Sequence, residues 1–273
     1  MTYLTPSTGR PSRETLSHAL GFKVPSCFAA YICQLYDFTR GDPQACLDAF
    51  ETTLGLCSPN GRDARYWGTP PELFPVGSTG CDGDHYGFLL HAPELDLDDL
   101  PYGHYCPMDS DGVIFVGSTA QQGIASVMAQ HLCYDFINVE KKKLITDIAR
   151  AGHFQPQEEE NPAITLPNGW RFLPSSDGVG TLAPAELFAP QPVEQCDRYK
   201  SPAEFVKAAD REANNGHLAT ALHYLREGLW FFWHAKPFTL ARRMVEVYVL
   251  INRAELADEL THTMNRWSEA EER

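Results

Sequence analysis

The sequence predicts an α+β fold: an antiparallel sheet with packed helices, then a hairpin-and-loop segment, then a C-terminal tail of helical hairpins. Three observations carry this. Apolar residues recur at helical spacing up to about residue 58, give way to strand-like runs among glycines and prolines, and return to helical spacing near residue 120. Asn168-Gly169 stands between apolar flanks as a two-residue hairpin turn does. Small and apolar residues at Gly216, Leu218, Ala221 and Leu225 are echoed 36 positions later by Asn252, Ala254, Ala257 and Thr261, close to the ~34-residue period of tetratricopeptide repeats.

Taken in order, Leu16 to Leu20 forms a short helix stopped by Gly21. Pro25 starts a stronger helix, since its fixed φ suits a first helical position, and Phe28, Tyr31, Ile32, Leu35 and Tyr36 make its apolar stripe. Asp42-Pro43 reads as a cap followed by a first turn. The helix it opens places Leu47, Phe50 and Leu54 on one face and closes at Gly55. Ser58-Pro59-Asn60-Gly61 marks the change of character. Leu73 to Val76, Tyr86 to His91 and Val113 to Val116 then read as strands of a sheet with at least four members. Val113-Ile114-Phe115-Val116 is apolar throughout and belongs inside the sheet. A fourth helix faces Ile124, Val127, Met128, Leu132 and Phe136 inward, and Lys141-Lys142-Lys143 follows it. Residues 155–163 have linker composition, Ile164 to Leu173 holds the hairpin, and 174–200 reads as loop. Residues 203–267 read as two helical hairpins, too few for a free-standing solenoid, so they must pack on the rest of the chain. Within them Trp230-Phe231-Phe232-Trp233 covers more than one helix face, which points to packing at the junction with the sheet. The units are thus 1–150, an α+β domain; 151–200, a linker with a β-hairpin; and 201–273, a tetratricopeptide-like tail.

Charge narrows the function classes. The 273 residues carry 36 acids against 22 lysines and arginines, a formal charge of −14, which repels nucleic acid and anionic membrane. No apolar run reaches the ~20 residues of a membrane helix, and the first residues have no apolar signal-peptide core. The expected compartment is the cytoplasm. The eight cysteines have no zinc-ribbon or redox spacing, so reduced, buried thiols are expected, with no disulfide, structural metal or cofactor.

The acids are unevenly placed. Between Arg65 and Lys141 there is no lysine or arginine, while eleven acids occur: Glu72, Asp82, Asp84, Glu94, Asp96, Asp98, Asp99, Asp109, Asp111, Asp135 and Glu140. Such a window is compatible with a cationic partner, a bound cation or solubility alone. Asp82, Asp84, Asp96, Asp98 and Asp99 fall in turns beside strands, where side chains reach solvent, and are the expected contacts for a basic protein.

Catalytic patterns are weak. Asp82-Gly83-Asp84-His85 starts like a calcium loop, but Tyr86 and Pro93 stand where oxygen ligands are required. Asp109-Ser110-Asp111-Gly112 has the wrong glycine offset, and acidic turns account for both. His85 and His91 would lie about 20 Å apart along one strand and could not share an ion. No nucleophile elbow, phosphate loop or dinucleotide fingerprint occurs. A metal-dependent hydrolase around Asp82, Asp84 and His85 stays open, as does a scaffold that binds through its helical tail.

Three stretches carry a resemblance. Val24-Pro25-Ser26-Cys27-Phe28-Ala29-Ala30-Tyr31-Ile32, then Pro71-Glu72-Leu73-Phe74-Pro75-Val76-Gly77 with Gly83-Asp84-His85-Tyr86, and Gly123-Ile124-Ala125-Ser126-Val127 resemble the SUKH superfamily. These are small α+β proteins related to a fungal cell-wall-synthesis regulator and common among bacterial toxin-immunity proteins. The likeness covers about residues 15–138. Thr39-Arg40-Gly41 stands where the family usually has Asn-Gly, and the hairpin and tail lie outside its core. The resemblance implies no catalytic residue. It implies binding, in the manner of relatives that neutralise a toxin enzyme by covering its surface, and an acidic face suits a nuclease-like basic partner.

Overall fold

A computed structural model describes residues 9–57, 65–80, 82–109, 111–135, 137–155, 164–191, 193, 196 and 199–271. The sequence-predicted boundary at residues 58–61, nearly all of the linker at 155–163, and Phe136 lie outside the described residues.

The fold is mixed α+β, as expected. Helices α1 (Arg13–Leu20), α2 (Ser26–Phe38) and α3 (Pro43–Leu54) come first. Their ends follow the sequence signals. Gly21 and Gly55 close α1 and α3 at φ 79° and 68°, where a residue with a Cβ would be strained. The Asp42 carboxylate accepts from the Ala45 N–H at 2.7 Å and caps α3. Pro25 sits one residue earlier than expected, at the cap of α2 with extended ψ, and Ser26 is the first helical residue.

The sheet is an antiparallel meander of β1 (Leu73–Ser78), β2 (His85–Leu89), β3 (Tyr102–Tyr105) and β4 (Val113–Gly117), in spatial order β1-β2-β3-β4. The expectation of at least four antiparallel strands holds. Strand β3 was not legible, because Tyr-Gly-His-Tyr lacks the β-branched run that marks strands. Strand β2 ends at Leu89, so His91 lies beyond it. Register sorts the side chains by face. Phe74, Phe88 and Tyr102 point one way and join the core made with the helices. Leu73, Leu89, Tyr105 and Val113 point the other way and form a second core with Val179 and Trp230. Full burial of a side chain such as Phe88 contributes about 1.5–3 kcal/mol.

Helix α4 (Ala120–Leu132) lies across the first face, closely enough for Gly123 to meet Tyr102. Helix α5 (Val139–Ala151) follows and was missed. Its lysine triplet hid a stripe of Leu144, Ile145 and Ile148 that packs into the core, and Asn138 caps it through the Lys141 N–H at 2.9 Å.

The hairpin needs correction. Asn168-Gly169 is not its turn. Gly169 has φ 79° and the Trp170 N–H donates to Pro167 O at 3.0 Å, so this tight turn precedes the hairpin. Strand β5 (Trp170–Leu173) pairs with β6 (Thr181–Pro184), which lies in the segment read as loop. Their connection, 174–180, is held by the Asp177 carboxylate, which accepts from Ser175 Oγ and the Val179 N–H. Side-chain bonding of this kind competes with a two-residue turn.

The tail forms the four expected helices, α6 (Pro202–Asn214), α7 (Leu218–Phe232), α8 (Phe238–Leu250) and α9 (Ala254–Glu271), with α6 packed on α7 and α8 on α9. Trp230 and Trp233 are partly buried against the two cores, as the four-aromatic block required. Val179 of the hairpin loop and Trp230 of the tail pack on the second face of the sheet, so the sheet is packed on both sides.

Candidate functional site

The meander sends its connections to opposite ends. The β1–β2 and β3–β4 turns share one end, and the β2–β3 connection leaves from the other. The five expected partner-binding acids are therefore divided. Asp82 and Asp84 lie at the first end; Asp96, Asp98 and Asp99 lie at the second. They do not form one face.

The second group is engaged within the chain. Lys23 Nζ donates to Asp96 at 2.6 Å. Asp98 accepts from Ser26 Oγ at 3.0 Å and pairs with Arg13. Partial burial works to raise the Asp98 pKa, but the Ser26 bond and the Arg13 charge outweigh it and hold the carboxyl below its ordinary value. Asp99 accepts from the Ala120 N–H at 3.0 Å, at the start of α4. Cations from distant segments also reach the window's other acids. Arg253 binds Glu94 at 2.8 Å, and Arg226 binds Glu72. The cation-free window is thus a property of the sequence, which folding largely neutralises at this end.

The first end differs. Asp82, Asp109 and Asp111 are exposed and make no ion pair among the described residues. The two turns touch. A side chain at Gly83 would lie 2.7 Å from both Pro107 and the Tyr66 ring. Large apolar and aromatic side chains are exposed at the same end: Met108 is 76% exposed, Ile114 and Tyr134 50% each, and Tyr66 41%. The register places Tyr86, His104 and Ile114 in one row across the sheet. Asp84 closes this row by pairing with His104, whose ring lies 4.5 Å from that of Tyr86. Burial first, then the negative charges of Asp84 and Tyr134, push the Tyr86 hydroxyl up to about 12. Exposed large side chains flanked by unpaired charge are the composition of a contact surface rather than of a solvated turn. Asp109 and Asp111 were legible only as an acidic turn. Nothing along the chain showed that they stand beside Asp82, because the strand that brings them there, β3, carries no strong signal.

The hydrolase constellation does not assemble. His85 is buried on the opposite side of the sheet from His104. Its Nδ1 donates to Gly83 O at 2.6 Å, its Nε2 lies 3.3 Å from Thr69 Oγ1, and Tyr66 and Tyr105 pack on its ring. Burial pulls its pKa down to about 4. Asp84 points to His104 instead. Among the described residues no group of three His, Cys, Asp or Glu side chains could hold a metal. The seven described cysteines are free. Burial pushes the Cys27 thiol up to about 12 and Cys46 to about 11, so neither is a ready thiolate. No described helix is long and apolar enough to cross a membrane.

No family model matches the chain, and no curated protein matches its sequence.

Proposed function

We propose that this chain is a non-catalytic protein-binding module that engages a basic protein through the acidic end of its sheet. The observation that supports this reading is the presence at one end of the sheet of exposed Asp82, Asp109 and Asp111, without an ion pair among the described residues, together with exposed Tyr66, Met108, Ile114 and Tyr134. The acids supply steering and specificity, and the apolar groups supply area that loses water on contact. Of the five acids expected from the sequence, Asp82 and Asp84 stay in this surface; Asp96, Asp98 and Asp99 serve the fold. The resemblance to immunity proteins makes a toxin enzyme the finer form of the reading, with inhibition by coverage and no chemistry performed by this chain. The hydrolase alternative loses support because His85 is held at both ring nitrogens.

The test takes as analyte any basic protein that the genes neighbouring this one prove to encode, with association measured by surface plasmon resonance at low and physiological salt. Replacing Asp82, Asp109 and Asp111 by Asn is expected to slow association roughly tenfold at low salt, within the range that steering supplies. The difference should shrink as the screening length falls toward ~8 Å. Rates that the triple substitution leaves unchanged and that are flat with salt would reject the acidic end. The exposed Phe231, Val249 and Leu250 of the tail would then be the next contacts to examine.

A further inference from the structure

At the other end of the sheet, the β2–β3 connection, the start of α4 and the segment 164–167 enclose a cavity of about 310 Å³. This is the lower bound of the size that holds small ligands, about 300 Å³. Its wall is mostly apolar, formed by Leu89, Ala92, Leu100, Leu166 and Leu182 among others. Leu97 and Leu166 at its rim are 43% and 48% exposed.

Among the described residues the lining has one carboxylate, the solvent-exposed Asp99, one imidazole, His91, and no lysine or arginine, beside the hydroxyls of Ser118, Thr119 and Thr165, which donate or accept. Asp99 spends one oxygen, Oδ1, on the Ala120 N–H. Nε2 of His91 lies 2.9 Å from Val179 O, which can only accept, so Nε2 carries the proton. Burial lowers the His91 pKa and favours the neutral ring, whose Nδ1 is then an acceptor. Two of the donors at the start of α4 are already used, since the Gln122 N–H bonds to Thr119 Oγ1 at 3.1 Å and the Ala120 N–H bonds to Asp99. The cavity therefore offers an apolar volume, a negative charge and acceptors, and among the described residues no cationic side chain to pair with an anion. A ligand that fits has a compact hydrophobic body and a head that donates hydrogen bonds and carries positive charge.

We propose that this cavity is a binding site for a small hydrophobic amine, its body among the leucines and its ammonium on Asp99. The site is separate from the acidic end and stands or falls independently of the partner proposed there.

The experiment is a chemical-shift titration of the ¹⁵N-labelled full chain with 2-phenylethylamine, and in parallel with its anionic counterpart 3-phenylpropionate. The amine is expected to give saturable shifts confined to amides around Leu97, Ser118, Thr119 and Thr165. Asp99→Asn keeps a side-chain cap on α4, because Asn caps as well as Asp, and removes the charge. It is expected to weaken amine binding about tenfold or more. Leu166→Trp, at an exposed rim position, should fill the mouth and abolish the shifts. Absence of saturable shifts with the amine, equal binding of the carboxylate, or amine binding unchanged by Asp99→Asn would each overturn the proposal.

Discussion

His85 shows how one residue can be read in two ways. In sequence it completes Asp82-Gly83-Asp84-His85 and invites chemistry; in the fold it is a buried strut between Gly83 and Thr69. Its pKa, lowered from 6.5 to about 4 chiefly by burial, has a measurable consequence. The unfolded chain takes up this proton near pH 6.5, and the folded chain resists it until about pH 4. The stability contribution is thus complete above pH 6.5 and is lost as pH falls toward 4, at up to about 1.4 kcal/mol per pH unit for each such group. His223, lowered to about 4 mainly by burial and next by Arg226, adds a second proton in the same window. Urea unfolding at pH 7, 5.5 and 4.5 should show this decline. A His85→Gln variant should be less stable at pH 7 yet lose less between pH 6.5 and 4, by roughly one proton's slope. An unchanged slope in the variant would mean that His85 is not held neutral.

At the scale of elements, the contact between α4 and β3 is the tightest constraint on the helical layer. A methyl group at Gly123 would stand 2.1 Å from Tyr102 Cβ, and Tyr102 is buried in the core. Gly→Ala in an ordinary exposed helix stabilises by roughly 0.5–1 kcal/mol. Here the sign reverses. Gly123→Ala must push α4 off the sheet and is expected to cost about 1–3 kcal/mol, as overpacking does. Thermal unfolding followed by circular dichroism distinguishes the cases: a raised midpoint would show that the helix has room to move. The same elements explain what could be read in advance. Helices α1 to α3 were legible because their caps and stripes are local. Strand β3 and helix α5 were not, since a strand rich in Tyr and Gly and a helix opening on Glu-Lys-Lys-Lys take their place only once a neighbouring surface is there to bury them.

Across the whole molecule, charge ties the layers together. Arg226 on α7 donates to Asp177 in the hairpin loop at 2.7 Å and to Glu72 beside β1, and Tyr248 on α8 donates to the same Glu72 at 2.5 Å. The neighbouring Glu227 accepts from the Ser176 N–H and hydroxyl at 2.6 and 2.7 Å. Arg65 Nε lies 3.1 Å from Glu259 on α9, both buried. Because Val179 of the hairpin loop and Trp230 of the tail pack on Leu73, Leu89, Tyr105 and Val113, sheet, hairpin and tail should unfold together. Arg226→Met removes the guanidinium that bridges Asp177 and Glu72, leaves their charge buried, and is expected to cost about 3–5 kcal/mol. The exposed Lys23–Asp96 pair should contribute no more than about 1 kcal/mol. Unfolding followed by tryptophan fluorescence, which sums over the five tryptophans with Trp67, Trp230 and Trp233 at the seam among them, and by circular dichroism should give coincident curves for the parent chain. Separated curves would show that the tail is an independent unit.

The sequence alone determined the fold class, the three N-terminal helices, the strand-rich middle, the four tail helices and the half-buried aromatic block. Each rests on spacing and capping within a few residues of itself, which folding does not rearrange. It also fixed the net charge and the existence of a cation-free window. Only the tertiary structure decided which acids remain free. Arg13 comes from the first helix, Lys23 from the connection after it, and Arg226 and Arg253 from the tail, and they reach their partners across more than seventy positions of chain. Asp82, Asp109 and Asp111, by contrast, are brought to one end of the sheet by the meander and make no ion pair among the described residues. Coulomb interactions act through space rather than along the chain, so the list of acids was readable in the sequence, and the surface they make was not.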